Sequence, residues 1–267
     1  MGERTSRGVG NLAGREVRGF LIDLDGVLYV GDGAIPGSIE AVAALRSRGY
    51  PFRFLTNTTT KTPGDLAEKL LFMGFEIEES EIITTPTLAA RYLRDLGDIS
   101  VHLVVDEAIV CEFGGFKLNH ENPDYIVVGD IGRSWDYELM SNLFEMMMGG
   151  SRLLALHKGR FWLAEDGMRL DIGAFVAGLE YAAGIEAVAI GKPSRDFFAL
   201  ALEDLGLGAG VTAMIGDDIY NDIGGARDVG LITVLTKTGK YNEEFVKGSG
   251  IEPDITIESL AAMLQLL

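Results

Sequence analysis

The apolar run Phe20-Leu21-Ile22 stops abruptly at Asp23-Leu24-Asp25-Gly26. An unbroken apolar run of this length suits a strand covered on both faces, as in a parallel sheet. Helical spacing follows in Ile39, Val42 and Leu45, closed by Gly49. A second strand over 52–55 ends in Thr56-Asn57. Thr62-Pro63-Gly64-Asp65 then opens a helix with a cap residue, a proline at the first helical position and an acid three residues after the cap. Leu66, Leu70 and Met73 carry that helix to Gly74. The βαβα order predicts an α/β fold with a doubly wound parallel sheet, which takes its ligands at the carboxyl ends of the strands.

The pattern returns late in the chain. Ala187-Val188-Ala189-Ile190 leads into Gly191-Lys192-Pro193 and a helix over 194–205. A strand over 211–215 leads into Gly216-Asp217-Asp218 and a helix ending at Gly230. Strands over 231–235 and 255–257 precede a terminal helix. Between the halves, strands are expected over 101–105, 125–128 and 153–156 and a helix over 136–148, enough for a second α/β domain. The expected layout is a flexible tail over 1–18, a core over 19–83 and 187–267, and an inserted domain over 84–186. Thr84-Thr85-Pro86 and Ala183-Gly184 would be paired hinges.

Net charge of −17 argues against nucleic acid or an anionic membrane as partner. No run of about 18 apolar residues predicts a membrane span. Residues 1–18 hold four arginines without an apolar stretch, unlike a secretory signal, and a cytoplasmic location is expected. The single cysteine, Cys111, excludes an intramolecular disulfide and reads as a packing residue in a helix. Gly8-Val9-Gly10-Asn11-Leu12-Ala13 fits a dinucleotide fingerprint but precedes the first clear strand instead of following one. Trp135 and Met146-Met147-Met148 read as packing, and Trp162 as packing or as a wall of a substrate pocket. His102 and His120 read as surface or packing residues.

Four polar groups fall at predicted strand ends: Asp23 with Asp25, Thr56 with Asn57, Lys192, and Asp217 with Asp218. Carboxylates gathered in one crevice repel unless a cation sits among them, and an all-oxygen ligand set selects a hard ion such as Mg2+. A lysine beside that ion holds phosphate. Thr, Asn and backbone N–H groups can donate to its oxygens. Asp23 and Asp25, two residues apart, leave the strand on one side, so one can attack while the other moves a proton. Each motif alone also reads as an ordinary turn or cap; their order and their placement at strand ends favour phosphoryl chemistry.

Asp23-Leu24-Asp25-Gly26-Val27-Leu28, Thr56-Asn57, Gly191-Lys192-Pro193 and Gly216-Asp217-Asp218-Ile219-Tyr220-Asn221-Asp222 resemble the four ordered motifs of the haloacid dehalogenase superfamily. The insertion lies where its C2-type cap subfamily carries the cap. Inside it, His157-Lys158-Gly159-Arg160-Phe161-Trp162 and Gly167-Met168-Arg169-Leu170-Asp171 resemble the phospholysine phosphohistidine inorganic pyrophosphate phosphatase group and, more distantly, NagD-like and 4-nitrophenyl phosphatase-like enzymes. The resemblance implies a Rossmann-like core and a Mg2+-dependent phosphatase. Asp23 would be nucleophile and metal ligand. Asp25 would be general acid/base and a ligand through its backbone carbonyl. Thr56, Asn57 and Lys192 would bind the phosphoryl group, Asp217 would complete the metal ligands, and Asp218 and Asp222 would support them. The implied substrate is a small phosphate ester, with phosphoamidates and pyrophosphate among the candidates, and a homodimer through the cap is one expected assembly. A phosphotransferase or mutase is the alternative, and a non-catalytic phospho-aspartate switch a more remote one, since Asp25 and the large insertion argue against it.

Overall fold

A computed structural model describes residues 8–164 and 167–267, with positions 162–164, 167 and 168 described by their backbone alone. The chain divides into two compact units. The first comprises Met1–Thr56, Pro63–Ile83 and Lys192–Leu267, the second Asn57–Thr62 and Thr84–Gly191.

The first unit is built on six strands: β1 (Gly19–Asp23), β2 (Phe52–Thr56), β3 (Ile82–Thr84), β4 (Thr212–Gly216), β5 (Ile232–Thr236) and β6 (Ile255–Ile257). Their order is β6-β5-β4-β1-β2-β3, and the pairs from β6 through β2 are parallel. Every residue of β1, β4 and β5 is buried, which is why their middles are mostly apolar and do not alternate, while the buried Thr233 hydroxyl of β5 donates to Asp254 Oδ2 at 2.9 Å. Ile22 sits between Ile215 and Phe54 in register. Helices α1 (Ser38–Ser47), α2 (Pro63–Phe72) and α3 (Arg195–Leu205) bury Val42 and Leu45, Leu66 and Leu70, and Phe197 and Ala201. The chain order runs outward from β1 in one direction and from β4 in the other. The β1–β4 junction is therefore the switch point at which an open parallel sheet presents a crevice at its carboxyl end.

The expected tail over 1–18 needs correction. Met1–Arg7 lie outside the described residues, but Gly10–Leu12 and Arg15–Val17 form an antiparallel hairpin. Ala13 and Gly14 turn it with positive φ of 50° and 77°, the primed-turn geometry that matches strand twist. Leu12 and Val17 are buried in the core, and the Arg15 guanidinium donates to Gly230 O at 2.9 Å. Two apolar anchors in eight residues are too few for the pattern to announce itself. The helix expected after Asp218 is also different. Ile219–Gly224 is wound as a π-type turn, in which Ile223 N donates to Asp218 O at 3.2 Å, before the short helix Gly225–Asp228. The terminal helix is a 3-10 segment, Leu260–Gln265.

The second unit has a five-stranded parallel sheet in the order Val188–Ala189, Arg152–Ala155, Tyr125–Val128, Ser100–Val104, Lys117–Leu118. It carries helices Thr85–Asp95, Tyr137–Met148 and Gly173–Ala183, and a hairpin of Phe161–Ala164 with Gly167–Leu170. Residues 187–191, expected in the core, fall in this unit because Val188 and Ala189 pair with Leu154 and Ala155. Thr84 caps its first helix by accepting from Thr87 N at 3.3 Å. Trp135 is buried and stacks on Phe175 with centroids 4.7 Å apart. Met147 is buried, whereas Met148 is exposed. Cys111, expected to pack inside a helix, is instead exposed on the 3-10 segment Glu107–Phe113. His102 and His120 meet each other, Nδ1 to Nδ1, at 3.0 Å. The Trp162 side chain lies outside the described residues. No described helix is long and apolar enough to cross a membrane.

Candidate active site

Asp23 is the last residue of β1, Thr56 the last of β2, and Asp217 follows the last residue of β4. Lys192 opens the segment that leads into α3. With Asp25, Asp218 and Asp222, these residues belong to the first unit, while Asn57 begins the second. Asp23, Thr56, Lys192, Asp217 and Asp222 are all buried.

The Lys192 ammonium bridges two carboxylates. It donates to Asp23 Oδ1 and pairs with Asp222 Oδ1 at 2.7 Å. Carboxylate oxygens of Asp23, Asp217 and Asp222 lie within 4.8 Å of one another. Asp217 Oδ2 accepts the Lys240 N–H at 2.6 Å, and Asp222 Oδ2 accepts the Asp218 N–H at 3.1 Å. Asp218 in turn caps the π-type turn, accepting from Tyr220 N and Asn221 N at 3.0 Å each. The turn thus fixes Asp218 and Asp222 together, while the Lys240 amide holds Asp217.

Three buried carboxylates face one buried ammonium. Burial, opposed by Lys192 and reinforced by Asp222, pushes Asp23 above the usual carboxylate range. Burial and then the charges of Asp23 and Asp222 push Asp217 up as well. For Lys192, burial works against the charged form, but Asp222 and Asp23 outweigh it and hold the amine protonated. Such an arrangement is short of positive charge, and its all-oxygen donors suit a hard divalent cation. Asp222 already uses Oδ1 on Lys192 and Oδ2 on Asp218 N, which leaves Asp23 and Asp217 as the side chains best placed to hold an ion. The side chain of Asp25 is not in this cluster.

Asp25 lies two residues beyond Asp23 and is exposed as a residue, yet the protein packed around its carboxyl raises its pKa, against the influence of Lys69 and Tyr29. The loop is tight: Gly26 N donates to Tyr29 O at 2.8 Å, and Asp25 and Tyr29 form an isolated bridge. Burial, and then the charges of Asp25 and Asp23, push the Tyr29 phenol above its ordinary pKa. Tyr29 is 1% exposed, and the Lys69 ammonium stands 4.2 Å from its ring centroid.

Several of these neighbours escape sequence reasoning. Gly26 (φ 86°) and Gly239 (φ 58°) close on the Asp217 carboxylate so tightly that a Cβ on either would collide with it. The Thr238 hydroxyl donates to Gly26 O, and Lys240 Nζ lies 3.6 Å from Asp218 Oδ2. Thr238-Gly239-Lys240 follows β5 at its carboxyl end, so a glycine-bearing polar turn after a fifth strand was the available signal. For Tyr29 there was none, because an aromatic after an apolar run reads as core.

Known proteins resemble this chain in sequence and fold along most of its length. A family model described as haloacid dehalogenase-like hydrolase matches residues 20–118, and one described as HAD-hydrolase-like matches 189–263. The mouse haloacid dehalogenase-like hydrolase domain-containing protein 2 is 38% identical over 247 residues, 92% of this chain and 94% of the relative. Human phospholysine phosphohistidine inorganic pyrophosphate phosphatase is 37% identical over 257 residues, 94% of each chain. Among solved structures, the p-nitrophenyl phosphatase of Archaeoglobus fulgidus superposes with a TM-score of 0.88 at 31% identity, covering 93% of this chain and 98% of that one. NagD from E. coli K-12 superposes with a TM-score of 0.84 at 27% identity, covering 92% and 97%. With carboxylates and lysine gathered at the switch point of the same fold, the chain belongs to the haloacid dehalogenase-like hydrolases, in their NagD-like branch.

Proposed function

We propose that this protein is a Mg2+-dependent phosphatase that hydrolyses a small phosphate ester through an aspartyl-phosphate on Asp23. The observation that carries the reading is the buried Asp23–Lys192–Asp222 bridge with Asp217 alongside: a carboxylate aimed from a strand end, held by an ammonium and short of positive charge. The phosphatases among the relatives support the choice of a phosphate ester.

Asp23 and Asp217 through their carboxylates, and Asp25 through its backbone carbonyl, would hold Mg2+. When bound, the ion supplies positive charge that offsets the charge developing on the transferring phosphoryl group. Asp23 attacks phosphorus as the bond to the leaving oxygen breaks, and Asp25 delivers its proton to that oxygen. Asp25 then takes a proton from a water molecule whose oxygen attacks the same phosphorus. The bond to Asp23 breaks and inorganic phosphate leaves. Lys192, Thr56 and Asn57 bind the phosphoryl oxygens, and Asp218 and Asp222 keep Lys192 and Asp217 in place. Asp25 suits its alternating role because its raised pKa favours a carboxyl that can give up a proton and its exposure gives water access.

The test is phosphate release from 4-nitrophenyl phosphate, and from a panel extended to pyrophosphate and phosphoamidates, with Mg2+ present and after exhaustive chelation. The reading expects activity that vanishes on chelation and returns with Mg2+. Full activity in the chelated protein contradicts it.

A further inference from the structure

We infer that Thr238 is a positioning residue for the metal site: its hydroxyl and the turn it opens hold the Asp25–Gly26 backbone and the Asp217 carboxylate in place together. This rests on the Mg2+-dependent reading above and deepens it at the same site.

The ligands proposed for Mg2+ come from two segments far apart in the chain, Asp23 with Asp25 at the end of β1 and Asp217 after β4. The strands fix where each segment starts, not how its loop lies. Mg2+ demands a near-ideal octahedron of oxygens, so ligands that must first be ordered bind it poorly. Thr238, two residues past the end of β5, reaches both segments. Its hydroxyl donates to Gly26 O and stands 3.0 Å from the oxygen of the wholly buried Thr236 hydroxyl. Gly26 N donates to Tyr29 O at 2.8 Å. Both peptide planes beside the Gly26 Cα are thus pinned, at a φ of 86° where glycine alone would leave the chain free to move. In a planar trans peptide a carbonyl turns together with the next residue's N–H. Pinning the planes around Gly26 therefore sets the direction of the Asp25 carbonyl, the proposed backbone ligand.

The main chain of Thr238 serves the other segment. Tyr241 N donates to Thr238 O at 3.1 Å, closing a turn in which Gly239 has a φ of 58°. That turn aims the Lys240 N–H at Asp217 Oδ2, 2.6 Å away. A Cβ on Gly26 or Gly239 would collide with the Asp217 carboxylate, so loop, turn and ligand are in direct contact. Valine has the shape of threonine and would serve equally if this position only packed. What the hydroxyl adds is the tie to Gly26 O.

Thr238→Val deletes the hydroxyl and keeps the shape, whereas Thr238→Ser keeps the hydroxyl and drops the methyl. The experiment titrates metal-free protein with Mn2+, an oxygen-seeking stand-in for Mg2+, reads the free ion by electron paramagnetic resonance, and then displaces it with Mg2+. The valine variant should bind both ions at least about ten-fold more weakly than wild type, the usual cost of removing a partner that orients a metal ligand, and the serine variant should stay within about three-fold. An unfolded fraction lowers the number of sites and not their affinity, so a merely structural role leaves both affinities as they were. Should the valine variant fail to fold, Thr238→Ala takes its place against serine. A smaller loss in the variant without the hydroxyl, or a larger one in the serine variant, overturns the positioning role. The wild type reports separately on the parent reading: absence of a Mn2+ site from which Mg2+ displaces the ion sinks both, while wild-type binding that the valine variant matches sinks this inference alone.

Discussion

Lys192 carries more of the site than any other single residue. Its ammonium lies between Asp23 and Asp222 inside the first unit, with Asp217 close by. Removing it would leave the carboxylates buried together with only the weaker influence of the Lys240 charge to offset them. Lys192→Met is therefore expected to cost about 3–5 kcal/mol of stability at neutral pH, the usual penalty for breaking a buried pair from one side. Urea denaturation of wild type and variant measures this, and a loss under about 1 kcal/mol would mean that the pair is not buried as described. Asp23, Lys192 and Asp217 were readable in sequence because each stands where an apolar run ends, whereas Asp222, inside the turn after Asp218, entered only through the family resemblance. Gly239 and Lys240 were not. Their roles come from partners far off in the chain or from a loop that folds back, as with the Lys240 amide on Asp217. Sequence spacing carries no record of such a meeting.

Elements joined by single ion pairs give a different kind of test. Arg46, in the last turn of α1, pairs with Glu81 at 2.7 Å and also donates to Glu76 O at 2.9 Å, tying α1 to the chain that enters β3. Burial acts to raise the Glu81 pKa, but the Arg46 hydrogen bond and charge and the Glu78 N–H outweigh it and hold it below the ordinary carboxylate value. A depressed folded-state pKa adds stability above the unfolded pKa and loses it as pH falls through the folded one. Glu81→Gln should then lower Tm at pH 7 by an amount that corresponds to about 0.2–1 kcal/mol, and the gap should close below roughly pH 4. A gap that persists undiminished at pH 3 would assign the loss to packing. At this scale the central strands were legible because burial on both faces leaves them mostly apolar. The hairpin of Gly10–Leu12 with Arg15–Val17 was not, since two buried side chains and an Ala-Gly turn make a weak pattern. The turn after Asp218 kept the apolar spacing of a helix while its hydrogen bonds changed to a wider winding, which periodicity does not resolve.

For the whole molecule, the two units divide the chain's chemistry unevenly. The buried carboxylates and Lys192 lie in the first unit, and of the proposed site residues only Asn57 falls in the second. Reaction type should follow the first unit, and substrate choice the second. Exchanging residues 84–191 for the matching segment of a related phosphatase should reorder kcat/KM across a panel of small and large esters while leaving Mg2+ dependence as it was. An unchanged ranking would refute that division. The insertion's existence was legible from its own strands, but its boundary was not, because Val188 and Ala189 look like any core strand until they pair with Leu154 and Ala155. The central claim is covalent: Asp23 itself takes the phosphoryl group. The direct measurement is rapid acid quench during a single turnover of a phosphate ester, followed by mass mapping of the protein, alongside phosphate release by Asp23→Asn. The account predicts one transient phosphoryl group on the peptide containing Asp23 and no turnover by the variant. Turnover with that peptide unmodified throughout, together with more than about a tenth of wild-type rate in Asp23→Asn, a barrier change of only ~1.4 kcal/mol, would contradict it.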